Sequence, residues 1–259
     1  MFLDLTDAQR ELQAELRAYF GRLMAEEAPN GEDTAVGSTA YRRIVKRLGT
    51  DGWLGVGWPA EYGGQGRGPI EQLIFFEEAN RADVPLPLVT LNTVGPTLAQ
   101  FGTDEQKRRF LPGILAGDIH FAIGYTEPGA GTDLASLTTR AVRDGDEYVV
   151  DGQKVFTTGG HDADFVWLAC RTDPEAPKHK GISILIVDTR SPGFSWTPIH
   201  TIGGGRHTTA TFYEGIRVPA GMLVGEENRG WQLITTQLNF ERVALGPSGK
   251  IWKAYEPVL

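Results

Sequence analysis

With 259 residues the chain is long enough for one large or two smaller domains with sizeable cores. Apolar residues make up 41% of it, yet no apolar run approaches the roughly 20 residues that cross a bilayer, so no membrane segment is expected. A net charge of -8 without a basic stripe argues against nucleic acid as the main partner, although a phosphorylated ligand needs only a local site. The single cysteine, Cys170, rules out an internal disulfide and fits a reducing cytoplasm. The opening "MFLDLTDAQRELQAELRAYF" mixes acidic and apolar residues, unlike a secretory leader.

The first 119 residues read as helical. Thr6 precedes "DAQRELQAELRAYFGRLM", where Leu12, Leu16, Tyr19, Phe20 and Leu23 recur at three-and-four spacing and Asp7 complements the helix dipole. "STAYRRIVKRLGTDG" predicts a second helix stopped by glycine. After the loop "GVGWPAEYGGQGRG", "PIEQLIFFEEANRA" begins with proline, as first helical turns often do. Further helices are expected through "TLNTVGPTLAQFG" and "TDEQKRRFLPGILAG".

Residues 120–226 change to a strand pattern rich in valine, isoleucine, threonine and aromatics. "HFAIGYT", "TTRAVRDGDEYVVDGQKVFTT", "DFVWLACRT", "GISILIVDT", "SWTPIHTI" and "TATFYEGIRVP", separated by Gly, Pro and Asp clusters, suggest a compact antiparallel barrel or sandwich. The helical period returns in "NRGWQLITTQLNFERVALG", so residues 227–259 read as the first helix of an incomplete C-terminal helical domain. The expected fold class is therefore α+β: a helical bundle, a β domain, and the start of a second helical domain.

Two places carry residues that a plain scaffold does not need. In "YTEPGAGTDLASLTTRA", Glu127, Pro128, Gly129 and Gly131 could simply shape the exit from a strand. Alternatively, the glycines let backbone amides approach a ligand, and Thr126 and Thr132 add hydroxyls. In the last helix Ile234, Leu238, Glu241 and Leu245 stand at i, i+4, i+7 and i+11, so Glu241 interrupts an apolar stripe. A carboxylate there requires either a purpose or a partner arginine from another segment or subunit. His120, His161, His179, His200 and His207 show no metal-ligand spacing. "GGGR" at Gly203 to Arg206 reads as a loop, "GEENRG" as a solvated helix entrance, and Cys170 as an inert core thiol.

The order of helices, β domain and helices, with "TEPGAGTD" at the first junction, resembles the acyl-CoA dehydrogenases over almost the whole chain. "DGWLGVGWPAEYGGQG", "FGTDEQKRRFLPGILAGD", "EYVVDGQKVFTTGGHDADFVWLACRT" and "IRVPAGMLVGEENRGW" match further family signatures in the same order. "HFAIGYTEPGAGTDLASL", "HDADFVWLACRTD" and "LNFERVALGP" are most similar to actinobacterial enzymes of sterol side-chain degradation, which assemble from two different subunits.

The resemblance implies a role for each marked residue. FAD is the implied cofactor, with Thr126 on the flavin, Thr132 near the flavin and the CoA chain, and backbone contributions from Gly124, Tyr125 and Gly131. Phe156 stands where the family commonly has a ring-packing tryptophan, and Thr158 where a threonine bonds near flavin N5. Gly159 replaces the family's usual asparagine. Glu241 matches one of two family positions for the base that removes the α proton while hydride leaves for flavin N5; Arg242 would anchor the helix or a substrate phosphate. The implied partners are an acyl-CoA substrate, a second acyl-CoA dehydrogenase subunit in a homo- or heterotetramer, and an electron-transfer acceptor protein. Family members run on for more than one hundred further residues. A non-catalytic subunit completing a partner's site, and a flavin monooxygenase with no need of Glu241, are the rival readings.

Overall fold

The computed structural model describes residues 4–244 and 248–255, with the backbone alone for 240–244. The chain divides into two compact units, Met1–Leu88 with Pro112–Asp118 and Arg242–Leu259, and Val89–Leu111 with Ile119–Glu241.

The first unit is helical. Helix α1 (Asp7–Glu27) is fixed at its start by a capping box in which Gln9 N donates to Thr6 Oγ1 at 3.3 Å and Thr6 N donates to Gln9 Oε1 at 3.0 Å. It buries Leu12, Leu16, Phe20 and Leu23. Tyr19 of the expected stripe is half-buried and donates to Asp51 Oδ2 at 2.8 Å. Helix α2 (Thr39–Thr50), capped by Ser38, buries Tyr41, Ile44, Val45 and Leu48. Helix α3 (Pro69–Arg81) brings Phe75 edge-on to Phe20 at 5.6 Å. Its buried Glu78 accepts from Arg17 Nε at 2.9 Å and Arg17 NH2 at 2.8 Å.

The helix expected through "TLNTVGPTLAQFG" is divided: a π-helical turn, Val89–Val94, leads into α4 (Gly95–Phe101). Pro96 has no N–H to give, and its ring would collide with the carbonyl four residues earlier, so the turn widens. Thr93 and Thr97 hydroxyls satisfy the carbonyls of Val89 and Thr93. Helix α5 (Asp104–Leu115) follows.

The second unit is built on β1 (Phe121–Gly124), β2 (Arg140–Asp144), β3 (Glu147–Thr158), β4 (Phe165–Arg171), β5 (Ile182–Asp188), β6 (Phe194–Ile199), β7 (Thr208–Pro219) and β8 (Leu223–Val224). The strand order is β6-β7-β3-β2-β4-β5-β8, with β1 paired to β4. "TTRAVRDGDEYVVDGQKVFTT" contains a hairpin turning at Gly145, whose φ is 63°. The sheet is largely antiparallel as expected, but β1 runs parallel to β4, from Phe121↔Phe165 to Gly124↔Leu168, and β2 meets β4 in one parallel bridge. A parallel partner cannot be reached through a tight turn; here the 125–139 loop and two further strands intervene. The core gathers Tyr148, Val150, Val166, Leu168, Cys170, Leu185, Tyr213 and Ile216. Burial pushes the Cys170 thiol up to about 12, which keeps it protonated and inert. No helix among the described residues is long and apolar enough to cross a membrane.

Candidate functional site

Strand β3 changes its inward parity halfway along. Tyr148, Val150 and Lys154 are buried, then Thr157 is buried while Phe156 and Thr158 are exposed. The register against β7 shifts between Lys154↔Thr211 and Thr157↔Thr209, so Val155 and Phe156 together face the single residue Ala210. This β-bulge turns Phe156 away from the core. Phe156 adopts a φ of 58° and is 65% exposed. For a bulky side chain that left-handed backbone costs about 1–2 kcal/mol, and an exposed phenyl ring returns little of it by itself. Strain of this kind concentrates where a ligand is held. Gly159 follows with φ 70°, a conformation that glycine and asparagine tolerate best, which explains how the family's usual asparagine and this glycine can share one position.

The loop after β1 lies directly beside the bulge, because Val155 N donates to Thr126 O at 2.8 Å. Its tip is a tight turn in which Glu127 and Ala130 exchange hydrogen bonds of 3.0 and 3.1 Å across Pro128 and Gly129. Glu127 is 5% exposed and accepts from Thr138 N at 2.7 Å, Thr138 Oγ1 at 2.8 Å, Thr139 N at 2.8 Å and Lys154 Nζ at 2.9 Å. Lys154 is fully buried and its Nζ also donates to Tyr125 O at 2.9 Å. Burial pushes the Glu127 carboxyl up, but the Lys154 ammonium and the Thr139 donors outweigh it and hold it at about 2. Burial in turn drives the Lys154 ammonium down, against the attraction of Glu127. The far end of the loop is tethered by Lys178 Nζ, 2.8 Å from Asp133 Oδ2, and by Arg171 NH2 on Ala135 O at 2.6 Å. Between these anchors Gly131 and Thr132 are exposed and Thr126 is half-buried. The backbone N–H groups of Thr126, Gly131 and Thr132 make no hydrogen bond among the described residues. The arrangement offers donors and one flat apolar ring, a set that fits a planar heteroaromatic cofactor rimmed with acceptors.

Gly124 has a structural reason of its own. A Cβ there would lie 2.9 Å from Val166 Cγ1 and 3.1 Å from Tyr213 OH, so packing alone demands glycine. Tyr125 points inward and its hydroxyl joins a chain. Trp167 Nε1, which can only donate, gives to Tyr125 OH at 3.1 Å, and Tyr125 OH gives to Gln237 Oε1.

Gln237 belongs to α6 (Gly230–Ala244), whose first residue packs so close to β5 that a Cβ on Gly230 would lie 2.9 Å from Ile182 O. The expected stripe on this helix is corrected in one member. Ile234 is buried, but Leu238 is 37% exposed and fully buried Gln237 replaces it; Tyr125 donates to its Oε1, while its Nε2 has no hydrogen-bond partner among the described residues. Glu241 and Arg242 lie on the helical backbone four and five residues beyond Gln237; their side chains, and all of Leu245, fall outside the described residues.

Thr126 thus lies against the bulge that exposes Phe156, with Thr158 two residues further along β3 and Gly131 and Thr132 further along the loop. Sequence reasoning missed Lys154 and Gln237. The signal for Lys154 was available: it shares the inward parity of Tyr148 and Val150 on β3. Gln237 had none beyond standing three residues after Ile234.

The comparisons with known proteins cover both units. Residues 6–118 match the acyl-CoA dehydrogenase N-terminal domain and residues 122–214 the acyl-CoA dehydrogenase middle domain. Among curated relatives, acyl-CoA dehydrogenase FadE29 of Mycobacterium tuberculosis is 64% identical over 258 residues, covering 100% of this chain and 67% of its own length. FadE26 of the same organism is 56% identical over 252 residues, covering 95% and 63%. Of solved structures, the Tcur3481-Tcur3483 steroid ACAD is 61% identical with a TM-score of 0.93, over 100% of this chain and 67% of that one. The ChsE4-ChsE5 complex from Mycobacterium tuberculosis is 56% identical with a TM-score of 0.88, over 96% and 64%. The chain spans about two thirds of the length of these relatives, and over that span helices, sheet and the "TEPGAGTD" loop agree with a single assignment: it belongs to the acyl-CoA dehydrogenase family.

Proposed function

We propose that the chain is the FAD-binding, base-bearing subunit of a cytoplasmic heteromeric acyl-CoA dehydrogenase that desaturates a sterol side-chain acyl-CoA between its α and β carbons. The observation that carries this reading is the strained bulge next to Thr126, at which Phe156 and, two residues on, Thr158 are exposed. Thr126 and Thr158 would bond the flavin ring, Phe156 would lie against it, and Tyr125, Gly131 and Gly124 would shape the backbone around it. Thr132 would lie near the CoA chain, and Arg242 would anchor the helix or a substrate phosphate. FAD, when bound, would supply the hydride acceptor, and an electron-transfer acceptor protein would be a further partner. Glu241 takes the α proton. The domain limits 1–119, 120–226 and 227–259 belong to the same reading, with 227–259 opening a helical domain.

The experiment is the flavin absorbance of the purified protein, alone and co-expressed with a second acyl-CoA dehydrogenase subunit. Flavin retained in a partner-dependent manner supports the proposal. Absence of flavin under both conditions favours the second reading, a non-catalytic subunit completing a partner's site; the two-component names of the steroid ACAD and ChsE4-ChsE5 structures keep that reading in play.

Within the flavin-retaining assembly, Thr126→Val and Thr158→Val should each weaken FAD by about 1 kcal/mol, or some fivefold, without unfolding. Unchanged flavin affinity and spectrum in both variants would remove these threonines from the site. Phe156→Gly is expected to separate strain from function. Glycine takes the φ of 58° without steric cost, so the thermal midpoint of the apoprotein should match or exceed that of the native chain. Flavin affinity should fall several-fold with loss of the ring, on the order of 1 kcal/mol. A lower midpoint with unaltered flavin binding would assign Phe156 to packing instead.

A further inference from the structure

We propose that the buried Glu127–Lys154 pair is a positioning device that turns the Tyr125–Thr126 peptide outward for the cofactor, an inference that rests on the flavin reading of Thr126. The geometry starts at Lys154 Nζ, which donates to the carbonyl of Tyr125 at 2.9 Å from inside the β unit. No peptide bond in the described chain is cis. In a trans peptide the C=O and the following N–H point in opposite directions. Pinning the Tyr125 carbonyl inward therefore directs the Thr126 N–H outward. That N–H makes no hydrogen bond among the described residues. The next peptide is held as well, since Thr126 O accepts from Val155 N at 2.8 Å. Both carbonyls flanking Thr126 are thus engaged with β3, one of them beside the Phe156 bulge, while the donor between them is left for a ligand acceptor.

A lysine is an expensive way to hold one carbonyl, because its charge must be compensated once it is buried. Glu127, two residues beyond that carbonyl, supplies the compensation at 2.9 Å and is itself oriented by three donors from Thr138 and Thr139. An apolar residue at 154 would fill the space but leave the Tyr125 peptide free to rotate. The sequence keeps the costly pair at a strand position from which both the loop carbonyl and the loop carboxylate are reached. Lys154 and Glu127 are positioning residues: they act on the cofactor through the Thr126 N–H.

The test compares two double variants of the flavin-retaining assembly, made so that the charges leave together. Glu127→Gln with Lys154→Met keeps one acceptor oxygen, enough for the two Thr138 donors but not for Thr139 N as well, and removes the donor to Tyr125 O. It is expected to fold, with FAD affinity reduced roughly tenfold and the flavin absorbance band shifted, on the scale of one charge-assisted hydrogen bond. Glu127→Gln with Lys154→Gln retains a side-chain N–H at 154 and should recover part of that loss. A folded Met variant with native FAD affinity and spectrum overturns the proposal. If the Met variant does not fold, the Gln variant decides alone: a folded Gln variant with FAD affinity modestly reduced, by less than roughly tenfold, and a small band shift supports peptide orientation, whereas native affinity with a native spectrum, or complete loss of flavin, overturns it. Failure of the underlying flavin reading looks different, because Thr126→Val would then leave FAD binding untouched in the native background.

Discussion

Replacing Glu241 with glutamine should slow reduction of the flavin by roughly 10² or more, while flavin and acyl-CoA binding survive. Glutamine keeps the size of the side chain and most of its hydrogen bonding but has no basicity, so only the proton transfer is removed. The expectation rests on the place of Glu241 immediately before Arg242 and on helix register. The buried face of α6 runs through Gly230, Leu233, Ile234 and Gln237, and position 241 lies four residues beyond the last of these. Anaerobic mixing of the flavin-loaded assembly with acyl-CoA, followed by the bleaching of the oxidised flavin band, reads the step directly. If Glu241→Gln bleaches as fast as the native protein, the base belongs to another segment or to the second subunit, and this chain's part shrinks to holding the cofactor. An effect confined to acyl-CoA affinity would make Glu241 a binding group instead.

What the sequence declares about the fold varies along the chain with the range of the interaction. The start of α1 at Thr6 is local, so the residues around it declare it. The buried face of α1 follows from spacing for the same reason. The parallel pairing of β1 with β4 is non-local, and no turn residue announces it. Phe156 shows the limit most clearly. Strict alternation along β3 would bury it with Tyr148, Val150 and Lys154, yet one extra residue relative to β7 reverses the parity. That reversal depends on the partner strand and is not written in β3 itself. On α6 hydrophobicity selects Leu238, whereas the fold buries Gln237, to whose Oε1 a distant tyrosine hydroxyl donates. The candidate site is thus legible in its loop motif and illegible in the contacts that set the geometry of that loop.

The single substitution Lys154→Met is expected to be among the most destabilising in the β unit. It removes one partner from a pair in which Lys154 is fully buried and Glu127 is 5% exposed, so the carboxylate keeps its three threonine donors but loses its only buried counter-charge among the described residues. Breaking such a pair from one side costs about 3–5 kcal/mol, whereas removing both charges together is often close to neutral. For a chain of this size that corresponds to a fall in the thermal midpoint on the order of 10 °C. The pH dependence identifies the cause. In the folded native protein Glu127 is held at about 2, below its ordinary value of 4.5. Its contribution to stability is therefore complete above about 4.5 and is lost as the pH falls from there toward 2. In Lys154→Met the folded carboxyl loses the counter-charge that depresses it, so this acid-sensitive contribution is already gone at neutral pH. Denaturant melts of the two proteins should accordingly differ most near pH 7 and converge as the pH is lowered through that window. A stability gap that stays constant down to pH values near 2 would trace the loss to side-chain packing at 154, and the charge pair would then hold nothing that a methionine cannot.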